Sequence, residues 1–155
     1  MQTWQIVVAV ALGAAVLAGL ALAATGRTRA QLDAKQLDSG IVAEYCRLVA
    51  EERYAEAFEK CLTSSYRKQA RPEKFAAALQ KRRGELGPML GRELVQVQSS
   101  RNLFSGTRSY QLRYQLKYAA QTLPRVLVVD DSDGEARIDG TFFETAGDSL
   151  SFEVW

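Results

Sequence analysis

The chain has 155 residues, 47% of them hydrophobic, with 20 basic and 18 acidic side chains and a formal net charge of +2. A charge so close to balance, with no basic run interleaved with aromatics, argues against a nucleic-acid partner. Histidine is absent and cysteine occurs twice, which removes Ser-His-Asp triads, histidine acid–base catalysis and cysteine-rich zinc or iron–sulfur centres. No cofactor is expected, and no spacing singles out a carboxylate, lysine or tyrosine as a catalytic group.

Residues 6–24 carry neither a charge nor a strongly polar group. As a helix they would rise roughly 28 Å, close to the thickness of a bilayer core. Ala21-Leu22-Ala23 offers the small-x-small pattern of a signal cleavage site, but residues 1–5 lack Lys and Arg and the apolar run exceeds a usual signal core. The length favours a retained single-pass anchor over residues 1–25, with Trp4 at one interface and Arg27 and Arg29 at the other. Ala11, Ala15, Gly19 and Ala23 recur every fourth residue, a ridge on which a second transmembrane helix packs, although an Ala-rich segment also produces this spacing by chance. Arg27, Arg29 and Lys35 would hold the following domain on the cytoplasmic side.

Residues 26–40 read as a polar linker and residues 41–155 as one domain. Ile41, Val42, Tyr45, Leu48 and Val49 share one face of a first helix; Tyr54, Ala57, Phe58, Cys61 and Leu62 share one face of a second. The short connection predicts an antiparallel helical hairpin, which brings Cys46 and Cys61 nearly level. A disulfide and two buried free thiols both fit, and the disulfide would require an oxidising compartment such as the periplasm. A third helix starts near Pro72, carries Phe75, Leu79, Arg82 and Leu86 on one side, and stops at Gly87-Pro88.

Beyond it the period changes to two. Strands are predicted over residues 93–99, 109–117, 125–130 and 136–145. In the first, Val95 and Val97 share one face and Leu94, Gln96 and Gln98 the other. In the second, Tyr110, Leu112, Tyr114, Leu116 and Tyr118 share one face and Gln111, Arg113, Gln115 and Lys117 the opposite one. Asp130-Asp131-Ser132-Asp133-Gly134-Glu135 lacks calcium-loop spacing and reads as a hairpin turn. The tail, residues 150–155, is either a last edge strand or a docking peptide. The order predicts an α+β domain, three helices against one face of an antiparallel sheet of about four strands.

Tyr54-Ala55-Glu56-Ala57-Phe58, Ser65-Tyr66-Arg67, and Glu73-Lys74-Phe75 with Leu79, Arg83, Leu86 and Gly87 resemble the nuclear transport factor 2-like superfamily. The Tyr110, Leu112, Tyr114 and Tyr118 strand and the run Asp133-Gly134-Glu135-Ala136-Arg137-Ile138-Asp139-Gly140 fit the same pattern, so the resemblance covers residues 41–145. It is closest to small bacterial anchored or exported families of unknown function. It implies a cystatin-like, cone-shaped fold of three helices wrapped by a curved sheet. Catalytic members use His, Asp or Tyr inside the cone, a pattern this histidine-free chain does not share. Other members bind proteins on the outer sheet face or at the cone mouth.

These readings converge on a non-catalytic, membrane-anchored accessory or scaffold subunit binding a partner in a bacterial membrane complex. Its soluble domain is expected on the periplasmic side of the inner membrane, on the strength of the cysteine pair and of export among the resembling families, against Arg27 and Arg29. Arg113, Lys117, Phe152, Val154 and Trp155 are the expected docking residues, since aromatic tails favour interface hot spots. The alternative is an exported small-molecule binder whose cone cavity is lined by Tyr110, Tyr114 and Tyr118. The third is a cone-type enzyme.

Overall fold

A computed structural model describes residues 33–144 and 150–152, with side chains through Phe142. One of two compact units begins at Ala34, inside the stretch read as linker: residues 33–37 are already helical, and Ala34 is buried in the core. A π-helical turn, Asp38–Val42, leads without a break into α1, Ala43–Ala50. Helix α2 spans Tyr54–Cys61, α3 Ser64–Gln69 and α4 Pro72–Leu86. The structure thus has a short helix, α3, that the three-helix expectation passes over. No described helix is long and apolar enough to cross a membrane; residues 6–24, with Ala11, Ala15, Gly19 and Ala23, lie outside the described residues.

Each helix forms where its apolar spacing allows. Tyr45, Cys46 and Leu48 of α1 and Tyr54, Ala57, Phe58 and Cys61 of α2 are buried, which sets two amphipathic faces against a common core. Between them Glu52 takes φ 61°, and the Arg53 amide donates to the Leu48 carbonyl at 2.9 Å, reversing the chain in three residues. In α4, Pro72 occupies the first turn and Phe75 and Leu79 face inward. Phe75 meets Phe58 with ring centroids 5.5 Å apart. Gly87 ends α4 at φ +78°, and a Cβ there would stand 2.8 Å from the Ala119 Cβ, so both conformation and space demand glycine.

The sheet is an antiparallel meander of five strands in chain order. They are β1 (Met89–Arg101), β2 (Arg108–Tyr118), β3 (Thr122–Asp130), β4 (Arg137–Glu144) and β5 (Leu150–Phe152). The tail therefore does contribute an edge strand. Helices cover one face, here the inner face, where Tyr110, Leu112, Tyr114, Leu116, Leu127, Val129 and Ile138 join the helical core. The phase expected for β1 holds only in part. A register shift between Leu94 and Gln96 inserts Val95 as an extra residue, so Leu94 and Val97 both pack on the core while Val95 is 61% exposed. A bulge of this kind resets the two-residue alternation.

One junction that fastens the helical layer to the sheet lies at Thr63. The Thr63 amide donates to the Ile138 carbonyl at 3.0 Å, and Leu62 bridges Ile138 in parallel. The fully buried Thr63 hydroxyl donates to Asp139 Oδ1 at 2.6 Å and accepts from the Tyr66 amide at 3.1 Å, which caps α3. Beside it Ser64 donates through its amide and hydroxyl to the Asp133 carboxylate, at 2.8 and 2.7 Å, and Arg137 donates to the Lys60 carbonyl.

Thr63→Val keeps the shape of the side chain but strands the Asp139 carboxylate and the Tyr66 amide. It is expected to cost about 2 kcal/mol, read as a lower urea midpoint at unchanged m-value. The Ser64 hydrogen bonds hold the Asp133 carboxyl below its ordinary value of 3.8. A depressed folded-state value means the contribution is complete above pH 3.8 and is lost as pH falls through the lower folded value. Acid unfolding of Asp133→Asn should therefore be shallower than that of the parent below about pH 4.

Candidate functional site

The inner face is filled. Tyr114 is 1% exposed and Tyr110 is likewise buried, so two of the three expected cavity residues stand in the core. Tyr118 is half-buried and lines two neighbouring cavities of about 20 Å³ each, each with room for about one water. The second is also lined by Tyr45, Cys46, Arg82, Arg125 and Thr141. Arg125, 3% exposed, donates to Thr141 Oγ1 at 3.3 Å. It occupies the same face of β3 as Leu127 and Val129, so the alternation of that strand already points it inward. Arg82, read from sequence as part of the packing side of α4, shares that lining.

Where the π-helical turn meets β1 and β2, Asp38 gathers a second group. Arg92 Nε donates to Asp38 Oδ1 at 2.9 Å and its Nη2 to the Asp38 carbonyl at 2.8 Å; the Tyr114 hydroxyl donates to the same Oδ1 at 2.9 Å. Burial first, and then the Asp38 charge, push the Tyr114 phenol well above its ordinary value. Burial raises Tyr45 as well, against the opposing pull of Arg125 and Arg82. Cys46 and Cys61 are buried free thiols in the structure. Burial pushes each thiol up to about 11. These phenols and thiols all stay protonated at neutral pH, the un-ionised state in which they are poor nucleophiles and bases.

The outer face of the sheet has a different character. Gln111, Arg113, Gln115 and Lys117 face outward from β2, as expected. Arg113 is half-buried and donates to Gln96 Oε1 at 3.2 Å, and Lys117 lies 3.4 Å from Glu93 Oε2. Strand register continues the Arg113 row across the sheet, from Arg113 to Val126, from Val126 to Phe142 and from Phe142 to Phe152. Two expected docking positions, Arg113 and Phe152, thus belong to one transverse row. Val126, in the middle of that row, is 1% exposed yet belongs to the face opposite the main core. Pro124, Val128 and Gly140 flank it on β3 and β4. Val154 and Trp155 lie outside the described residues.

The acidic run beside the β3–β4 turn is used structurally. Asp133 caps α3, Asp131 Oδ1 accepts from the Arg108 amide at 2.7 Å, and Asp130 Oδ1 accepts from the Ser132 amide at 2.6 Å. Among the described residues no group of three or more His, Cys, Asp or Glu is placed to hold a metal ion.

No protein-family model matches the chain, and a search of curated proteins finds no match to it either.

Thiol titration follows from the burial of the two cysteines. The folded protein should react with a disulfide reagent far more slowly than a model thiol at neutral pH, because a value of about 11 leaves little thiolate. Denaturation without reductant should release two reactive thiols per chain, and a count of zero would show the pair joined.

Proposed function

We propose that this chain is a non-catalytic, membrane-anchored accessory or scaffold subunit of a bacterial membrane complex. Its α+β domain, which we read as nuclear transport factor 2-like, binds a protein partner through the outer face of the sheet. The observation that carries this reading is the transverse row Arg113, Val126, Phe142 and Phe152, which strand register places on the sheet face opposite the described helices. An apolar centre with an arginine at its margin is the composition of an interaction core. The two inner-face cavities lined by described residues, of about 20 Å³ each, are of a size for single waters.

Residues 6–24 would supply the anchor, and the ridge Ala11, Ala15, Gly19 and Ala23 a contact for another transmembrane helix. We place the domain on the periplasmic side, in keeping with export among the families the sequence resembles. Buried thiols pushed up to about 11 would resist oxidation there. A small-molecule binder remains the second reading, favoured by Arg82 and Arg125 beside the inner cavity.

The full chain, extracted in mild detergent from its native membrane, should migrate with a larger assembly. Arg113→Glu and Val128→Lys on the outer face should each release it from that assembly without lowering its thermal midpoint. Lys68→Glu, exposed on α3, should leave the assembly intact. Retention of the assembly by both outer-face variants would overturn the reading, and a lone monomer carrying a bound metabolite would favour the second one.

A further inference from the structure

Strand β1 pairs with β2 on one side, and among the described residues no strand lies on its other side. An edge of 13 residues with open backbone groups is a template for another strand. Two register shifts divide it. Leu90 and Val95 are each left without a partner on β2, while residues 96–101 run in unbroken register against residues 108–113. Bulges blunt an edge, so the first half of β1 is protected and the second is not. The unbroken run holds one charge, Arg101, and no proline. Among the described residues its backbone groups make no hydrogen bond outside the sheet.

The apolar side chains left in solvent follow the same edge. Among the described residues the exposed large hydrophobics are Leu90, Val95, Leu103 and Phe104, all on β1 or in the turn that follows it. That turn is ordered: Asn102 Oδ1 accepts from the Phe104 amide at 2.9 Å and from the Ser105 amide at 3.3 Å. Leu90 and Val95 precede the unbroken run, and Leu103 and Phe104 follow it, so the two pairs stand on either side of Gln98. Such an arrangement matches itself when the strand is reversed. An antiparallel copy brings the start of one β1 level with the end of the other, and a two-fold axis makes each match twice. A strand of another protein would have to supply both ends of this pattern itself.

We propose that two copies of this chain pair antiparallel through their β1 edges, about a two-fold axis at Gln98 normal to the sheet. In this register Gln98 faces its own copy, Val97 faces Ser99 and Gln96 faces Ser100, each pair on one face of the sheet as strand alternation requires. Arg101 of one copy comes level with Val95 of the other, one residue beyond which, counted along the paired strand, lies Leu94 and then Glu93. No charge of one β1 faces a like charge of the other, a juxtaposition that would weaken the ladder. Leu103 and Phe104 of one copy come level with the start of the other's β1, where Leu90 stands. The pairing goes beyond the docking row above: it uses the sheet edge, and neither depends on the other.

The test uses the full chain in mild detergent, with its mass read by light scattering and its register by cysteine coupling. The parent should be a dimer at micromolar concentration. Gln98→Cys places two thiols directly across the axis, within disulfide reach, and should couple rapidly under mild oxidation while Cys46 and Cys61 stay buried. Arg101→Cys, whose two copies would stand roughly 20 Å apart, and Lys68→Cys on α3 should not couple. Val95→Lys and Gln98→Lys, both at exposed positions, should each weaken self-association about tenfold with the thermal midpoint unchanged, because they set cations against Arg101 or against each other. A monomer at these concentrations overturns the pairing. So does a dimer that both lysine variants leave intact and in which Gln98→Cys couples no faster than Lys68→Cys, since the copies would then meet elsewhere.

Discussion

The fold depends on the way the helical layer is locked to the fourth strand. Thr63 is fully buried and spends both sides of its hydroxyl, donating to Asp139 and accepting from the Tyr66 amide, while its own amide donates to Ile138. A buried polar group is tolerated when it is satisfied, and then it specifies one arrangement among many apolar ones of similar energy. Ser64 with Asp133 and Arg137 with Lys60 extend the lock to the β3–β4 turn. Without this seam, the apolar faces of α1, α2 and α4 could slide over the sheet with little change in buried area.

A second seam lies near the start of the folded unit, where Asp38 holds Arg92 and Tyr114. The π-helical turn adds a residue to that helical turn, a geometry that commonly marks a locally specified position. Between the two seams tyrosines and leucines of the sheet pack against the described helices. The outer face, in contrast, is set by strand register, which brings Arg113, Val126, Phe142 and Phe152 into line. The proposed docking row therefore arises from the sheet and from none of the described helices. Such a row offers a shape and a charge pattern, and it makes no use of a perturbed titratable group.

Much of the fold was legible in sequence because it is written in period. The 3.6-residue spacing marks α1, α2 and α4, and the strict alternation of Tyr110, Leu112, Tyr114 and Leu116 marks the helix-covered face of β2. What escaped is not periodic. Helix α3 is only six residues long, too short for a repeat to register. The Val95 bulge breaks the alternation it would be recognised by, and the start of the folded unit at Ala34 depends on packing that a polar segment does not advertise. The proposed docking row was half visible. Arg113 and Phe152 each stood out by residue type, but only strand register shows that they share a row. Asp38 as a partner of Tyr114 lies 76 residues away in the chain and has no local signature.

That same distance bears on how the molecule assembles. The five strands follow one another as a meander, so each strand closes on the one before it through a short connection, and the pairings are cheap in chain entropy. The bonds of Thr63 to Asp139 and of Tyr114 to Asp38 each span 76 residues, so closing them costs more chain entropy than pairing neighbouring strands. Interactions made late are largely absent from the transition state, where their loss leaves the folding rate almost untouched and quickens unfolding instead. Loss of the seam is thus expected to quicken unfolding more than it slows folding.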